Sequence, residues 1–328
     1  MGKRLCCVLL FFLFGFGAGR ALAWNNIGHM AVAYVAWQNL SPALRTRVSA
    51  LVSANPLYSQ WSALIPASLT GDRRDMYLFM IAATWPDQIK GDSADFPCPG
   101  QGNTNVPPAN EPPTLNVGYS DQCMHKYWHF IDNSISSDGT APHAIPVPNA
   151  EEKVNFFSQA LRTKESDALK SYDLAWLEHL VGDLHQPLHC VTRNSRQHPE
   201  GDQGGNKVVI TGSQGELHAY WDDIFGDRTD NLYADAVLGE KIGERLPPAN
   251  ASLAADLATA DWVQESVKDA EADVYMNPPI GPEWGPYAIT AAYHANAERV
   301  AQQRVSLAGV RLANLIAAAM PELRVACS

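Results

Sequence analysis

The twelve residues EHLVGDLHQPLH, Glu178 to His189, hold three histidines and two carboxylates. His179 and Asp183 stand four apart, which puts them on one face of a helix. His185 and His189 are also four apart, but Pro187 falls between them. A proline ring clashes with the carbonyl four residues back, here that of Asp183, so the helix is expected to end or kink there. The stretch therefore predicts a helix presenting imidazole and carboxylate on one face, with further imidazoles just past a bend.

The rest of the chain also reads mostly as helix. Apolar residues recur at helical spacing over 30–39, 73–83, 151–164, 172–183, 254–270 and 288–319. Ser41-Pro42 is a helix start, a capping residue followed by proline at the first helical position. The breaks are long. Residues 92–121 contain PCPGQGNTNVPPANEPP, too rich in Pro, Gly and Asn for regular structure, and 136–148 and 194–205 form two more loops. KVVIT and ELHAY flank GSQG, which suggests one short β-hairpin. No internal repeat or composition shift marks a second domain. The expected fold class is mainly α, a single helical domain over 24–328 with long loops, of the kind that are usually functional or disordered.

Residues 1–23 carry the marks of an export leader. Lys3 and Arg4 form a basic front, Leu5 to Ala18 is apolar, and Ala21 and Ala23 are the small residues of a cleavage site. The apolar run is too short and wrongly flanked for a spanning helix. A secreted or periplasmic protein is expected, starting at Trp24 and without a membrane anchor after processing. Its net charge would be about −14, because the leader removes three basic residues from a chain of net charge −11. So acidic a protein is a poor general binder of phosphate backbones, an affinity that comes mainly from Lys and Arg. An anionic substrate would need something other than a basic patch, and bound cations would serve. Four cysteines remain, Cys98, Cys123, Cys190 and Cys327, none in C-x-x-C spacing, so a thiolate zinc site is not expected. Cys98 and Cys123 bracket the 92–121 loop and are the first choice for a bridge, leaving Cys190 with Cys327. Four cysteines allow three pairings.

Three further clusters resemble the first in chemistry. LHAYWDD places His218 and Asp222 four apart, KYWHFID contains His129 and Asp132, and ATWPDQIK contains Asp87. Imidazole nitrogen and carboxylate oxygen are what Zn²⁺ takes in exported enzymes. One such pair is a weak signal, since a helix-surface pair explains it as well. Two pairs, with His189, His129 and Asp87 set among Trp, Phe and Leu, are different, because such groups are costly to bury without partners. A shared set of cations would satisfy them together.

These residues resemble the exported, zinc-dependent, single-strand-preferring nucleases, also called type I or bifunctional nucleases. Those enzymes share a helical fold with the zinc-dependent phospholipases C. The motifs that carry the resemblance are W-x4-H from Trp24, W-x-D, HFID, H-x3-D-x-H-x-P-x-H and LHAYWD, and together they cover nearly the whole mature chain. The resemblance implies three zinc ions. The first would be held by Asp87, His129, His179 and Asp183, and the second by His189, His218 and Asp222. The third would take His29, Asp183 and Trp24, the last through its freed α-amino nitrogen and carbonyl oxygen, with Asp183 bridging.

The resemblance also implies hydrolysis of single-stranded DNA and RNA to 5′-phosphorylated products by a monomeric enzyme with no stable protein partner. Asp87 would ligate and orient or deprotonate the attacking water, or ligate only. Lys90, three residues on, stands where relatives often carry a phosphate-contacting arginine; a lysine keeps the charge without the bidentate geometry. Phe130 and Asp132 would form a base pocket, stacking and accepting hydrogen bonds, which suits unpaired bases. His185 reads as a hydrogen-bonder to the ligands, His125 as that or merely local, and His143, His198 and His294 as structural or solvated. Two rivals stand beside this reading. Phospholipase C activity is disfavoured by the short spacing to His29, by Asp222 where those lipases use glutamate, and by HFID. A zinc-storing protein is disfavoured by the second site's three ligands, which leave a position open. The sequence leaves base preference and 3′-nucleotidase activity undecided, and Asn250-Ala-Ser252 is a glycosylation sequon only in a eukaryote.

Overall fold

A computed structural model describes residues 24–91, 104–112, 114, 116–120 and 123–321. Twelve α-helices carry the described chain: α1 Asn26–Asn39, α2 Pro42–Ser53, α3 Tyr58–Leu64, α4 Gly71–Ala82, α5 Trp85–Gly91, α6 Ala150–Ala160, α7 Asp167–Asp183, α8 Leu217–Asp222, α9 Leu232–Gly243, α10 Ala251–Ala255, α11 Thr259–Asp269 and α12 Ala291–Ala319. Four short strands complete it. β1 Asn133–Ile135 runs parallel to β2 Val191–Arg193, and β3 Ile210–Thr211 runs parallel to β4 Tyr287–Ala288. The fold is mainly α, as the periodicity predicts.

Helices α1 and α7 form the centre. From Ser171 to Asp183 every residue of α7 is buried, and α1 is buried from Asn26 to Ala33. A helix buried all round must be enclosed by others, and α1 packs against α4, α7, α9 and α12 while α7 packs against α2, α6 and α12. Trp24, Trp37, Trp128, Trp176, Trp221 and Trp262 are fully buried around this centre. Caps fix where the helices begin. Ser41 accepts from Leu44 N, Ser166 from Leu169 N, and Asn149 and Glu152 form a reciprocal capping box at α6. No helix among the described residues is long and apolar enough to cross a membrane.

Three expectations are corrected. The segment read as one helix over 254–270 is two, α10 and α11. Asp256 accepts from Ala258 N at 2.9 Å through its side chain and from the Trp262 indole at 2.9 Å through its carbonyl. A short polar side chain that bonds its own neighbouring backbone competes with the helix ladder. The hairpin is also not formed as read. The turn after Thr211 folds back through one antiparallel bridge, Val209 with Glu216, but the second arm is helix α8 and strand β3 pairs with distant β4. ELHAY, expected as the second arm, opens α8. The buried set is Leu217, His218, Trp221 and Asp222, a helical stripe. Finally, Cys190 is a free, buried thiol, which rules out its bridge to Cys327. Burial pushes that thiol up to about 12. Cys123 is disulfide-bonded; Cys98, its expected partner, lies outside the described residues, as does Cys327.

Candidate metal centre

Helix α7 delivers His179 and Asp183 to the centre of the protein and stops there. Leu184 N still donates to Leu180 O, and after Asp183 the chain turns into a 3-10 helix over Pro187–Cys190. The bend that Pro187 imposes carries His189 across to α8. Helix α8 brings His218 and Asp222, α5 brings Asp87, and the 3-10 turn Lys126–Trp128 ends on His129. Helix α1 brings His29.

Nine tenths or more of each of these residues is buried, and their ligand atoms converge in three groups. His29, His179 and Asp183 form one, Asp87, His129 and His179 a second, and His189, His218 and Asp222 a third, with the atoms of each group within 4.8 Å of one another. The two oxygens of Asp183 face different partners. Oδ1 lies 3.4 Å from His29 Nε2, whereas Oδ2 lies 3.1 Å from His129 Nδ1 and 3.5 Å from His179 Nε2. Asp87 Oδ1 is 3.4 Å from His179 Nε2, and its Oδ2 is 3.9 Å from His29 Nε2. One carboxylate thus spans two groups.

Backbone carbonyls set the tautomers. His179 Nδ1 bonds Ala83 O at 2.8 Å, His189 Nδ1 bonds His129 O at 2.7 Å, and His218 Nδ1 bonds Gly204 O at 2.7 Å. A carbonyl only accepts, so each Nδ1 carries the proton and each Nε2 presents its lone pair to the group. Metal-ligating histidines are oriented by this kind of outer hydrogen bond. In the third group, His189 Nε2 and His218 Nε2 stand 3.1 Å apart, and Asp222 Oδ2 is 3.4 Å from the latter. Imidazole and carboxylate, buried and converging, fit the donor set of zinc.

Trp24 adjoins the first group. It is fully buried, its indole Nε1 donates to Gly182 O at 3.1 Å, and its ring lies 5.7 Å from that of Phe225. Asn25 clamps the same end to α8: its N donates to Asp222 O at 3.1 Å, and its side-chain amide donates to Asp223 Oδ1 and Gly226 O at 2.9 and 2.6 Å. Close approach requires glycine on both sides. A Cβ at Gly28 would stand 2.6 Å from Trp24 Cβ, and one at Gly182 would stand 2.7 Å from His29 Nδ1.

The S1/P1 nuclease family model matches residues 24–321. The chain belongs to the S1/P1 nuclease family. It is 23% identical to Endonuclease 3 of Arabidopsis thaliana over 88% of both chains. It is 25% identical to Nuclease S1 of Aspergillus oryzae over 88% of this chain and 89% of that one. With Nuclease P1 of Penicillium citrinum it shares 26% identity over 61% of this chain and 57% of the relative. This S1/P1-family enzyme is therefore an endonuclease, a phosphodiester hydrolase acting on nucleic acid.

Beside the groups, Phe130 and Asp132 flank His129 and remain half-buried. Phe130 packs against the core and its carbonyl accepts from Ala150 N. Burial, with Asp202 beside it, raises the Asp132 carboxyl to about 6, against the opposing pull of His143. Lys90 lies in α5, three residues past Asp87, and its side chain is outside the described residues.

His185 departs from its reading. Its Nδ1 bonds Val181 O at 2.7 Å and its Nε2 accepts from Arg311 at 3.0 Å, so the ring faces α12 and none of the ligand side chains. Burial and the guanidinium groups of Arg304 and Arg311 hold it neutral. Both arginines bond Glu265, and Arg304 also donates to His185 O and Ser266 Oγ. Ser266 in turn donates to Leu184 O at 2.6 Å. This buried, paired network braces the turn between the two ligand-bearing segments, and buried charges persist only when paired in this way. His125 stacks on Trp128, with 3.6 Å between ring centroids, and is local. His198 stacks on Trp284 and His294 bonds Tyr220.

Sequence reasoning passed over Gln186. It is fully buried, and its side-chain amide donates to Asp222 Oδ1 at 2.7 Å. The only signal was its place: an amide inside H-Q-P-x-H, where every polar neighbour is a candidate ligand.

Proposed function

We propose that this protein is an exported trinuclear zinc nuclease that cleaves single-stranded DNA and RNA to 5′-phosphorylated products, working as a monomer from Trp24 onward. The observation that carries the reading is the convergence of three imidazole–carboxylate groups, joined through Asp183 and the His189–His129 contact, with Phe130 and Asp132 half-buried next to His129 in the chain. One zinc ion would sit among Asp87, His129, His179 and Asp183, one among His189, His218 and Asp222, and one between His29, Asp183 and the terminus of Trp24. Zinc supplies Lewis acidity toward phosphoryl oxygens and lowers the pKa of a bound water toward roughly 7.

The residues supply the rest. Asp87 orients the attacking water and takes its proton, besides ligating. Lys90 contacts a non-bridging phosphate oxygen. Phe130 stacks a base, which requires the base to be splayed out of any duplex and so favours single strands. Asp132 accepts hydrogen bonds from the base edge. The acidic surface is consistent with this division, because three divalent ions place six positive charges where the phosphate must lie, and no basic patch is needed.

The reading is tested by measuring metal content and hydrolysis of single-stranded DNA, RNA and phosphatidylcholine by the chain beginning at Trp24. Three zinc per chain and cleavage of both nucleic acids are expected. Faster cleavage of the lipid, or activity without metal, refutes it.

Asp132 gives a pH test. A carboxyl at about 6 is neutral below that pH and accepts hydrogen bonds fully only above it. KM for single-stranded substrate should fall as pH rises through about 6, and D132N should flatten that limb while kcat keeps its profile. Linkage has its own sign here: because the folded carboxyl titrates above its ordinary value of 3.8, its contribution to stability is lost as pH climbs from about 4 to about 6. An unchanged KM profile in the variant would remove Asp132 from the base pocket.

A further inference from the structure

Gln186 touches three ligand-bearing residues at once. Its backbone N donates to Asp183 O and its carbonyl accepts from His189 N, both at 3.0 Å, so its main chain forms the bend between those ligands. Its side chain crosses to the other element: Oε1 accepts from Leu188 N at 2.6 Å, and Nε2 donates to Asp222 Oδ1 at 2.7 Å. The two bonds fix the amide's orientation without ambiguity. A backbone N–H only donates, so it must face the amide oxygen; a carboxylate only accepts, so it must face the amide nitrogen.

The consequence falls on Asp222. Its carbonyl is held by Asn25 N and its Oδ1 by Gln186. The remaining oxygen, Oδ2, is the one turned toward His218 Nε2, at 3.4 Å. We infer that Gln186 is a positioning residue that reserves one oxygen of Asp222, so that the His189–His218–Asp222 site takes a single carboxylate oxygen and keeps a coordination position for water or phosphate. The inference rests on the zinc reading above. Zinc sites that do chemistry differ from closed structural ones in keeping such a position, and a carboxylate released to give both oxygens would fill it. Glutamine is the side chain that serves both ends. Glutamate would set a carboxylate against Asp222, asparagine is one methylene short, and an apolar residue loses both bonds.

Two variants of the chain beginning at Trp24 test this, with the wild type measured beside them. Q186M keeps the length and removes the donor. Its zinc affinity, from chelator competition, should stay within about threefold of wild type and KM likewise, while kcat falls roughly 10- to 100-fold, the usual cost of losing a ligand's hydrogen-bond partner. In the cobalt-substituted protein the visible absorption should weaken, as it does when a four-coordinate ion gains a ligand. Q186E keeps the shape and the bond from Leu188 N but opposes two carboxylates, and its zinc affinity should drop tenfold or more. Wild-type kcat and cobalt spectrum in Q186M overturn the inference. So does loss of zinc from Q186M with activity restored by excess metal, which is what a merely structural residue would give. If Q186M fails to fold, wild-type zinc affinity in Q186E overturns it alone. A wild-type chain that binds no zinc would instead overturn the function proposed above.

Discussion

D183N should lower activity by a thousandfold or more and reduce bound zinc from three ions to one. The expectation follows from where the two oxygens point. Oδ1 faces His29, and Oδ2 faces His129 and His179, so one side chain serves both groups that would hold the first and third ions. The amide that replaces it is neutral and can offer only one acceptor, its NH2 turning a donor toward an imidazole or a cation. Loss of a charged bridge from a site of clustered cations removes several kcal/mol of transition-state stabilisation, and about 4 kcal/mol corresponds to a factor of roughly a thousand. H218N and D222N should behave differently, each removing one ion and leaving two. Metal analysis by mass spectrometry of the three purified variants separates the cases. D183N retaining three zinc ions would mean that Asp183 is not shared.

The second large effect concerns the terminus. One alanine added before Trp24 should reduce bound zinc from three to two and cut activity about a hundredfold, the loss expected when reacting groups shift by an ångström or more. The surroundings of Trp24 would leave a terminus freed there nowhere else to go. Trp24 is tied by its indole to Gly182 O, Asn25 is clamped to Asp222, Asp223 and Gly226, and Gly28 and Gly182 leave no room for a Cβ. An added residue extends the backbone by about 3.8 Å and replaces the amine with an amide N–H, which is a poor ligand. W24F is the control, since it keeps the amine and loses only the indole bond, and it should retain three ions. An extended chain with three ions and full activity would remove the terminus from the metal site.

Much of this was legible because it is local. His179 with Asp183, and His218 with Asp222, share a helix face by spacing alone and so stand out together as candidate ligand pairs, and the stop at Pro187 follows from the ring's clash with a carbonyl four residues back. The family motifs then named Asp87, His129, His29 and Trp24, which lie far apart in sequence. What misled was also local. ELHAY reads as a hairpin arm beside GSQG, yet it opens α8, whose buried stripe includes His218 and Asp222. The pattern of hydrophobicity carries no sign for a polar side chain that faces inward to a site. Cys190 was paired by elimination, but its place on the bend beneath Leu184 leaves it a buried thiol bonding a carbonyl.

By itself the sequence determined the helical class, the helix start at Ser41, the bend after Asp183 and two candidate ligand pairs, because each depends on contacts within a turn or two of chain. It placed the starts of α6 and α7 too late, at 151 and 172, because the caps Asn149 and Ser166 lie outside the apolar period. Tertiary structure decided which carbonyl sets each imidazole tautomer, that Asp183 faces two groups, that His185 turns away to Arg311, and that Gln186 reaches Asp222. Those outcomes depend on which surfaces α1, α7, α8 and α12 bring together, and hydrogen bonds between elements distant in sequence leave no period in it.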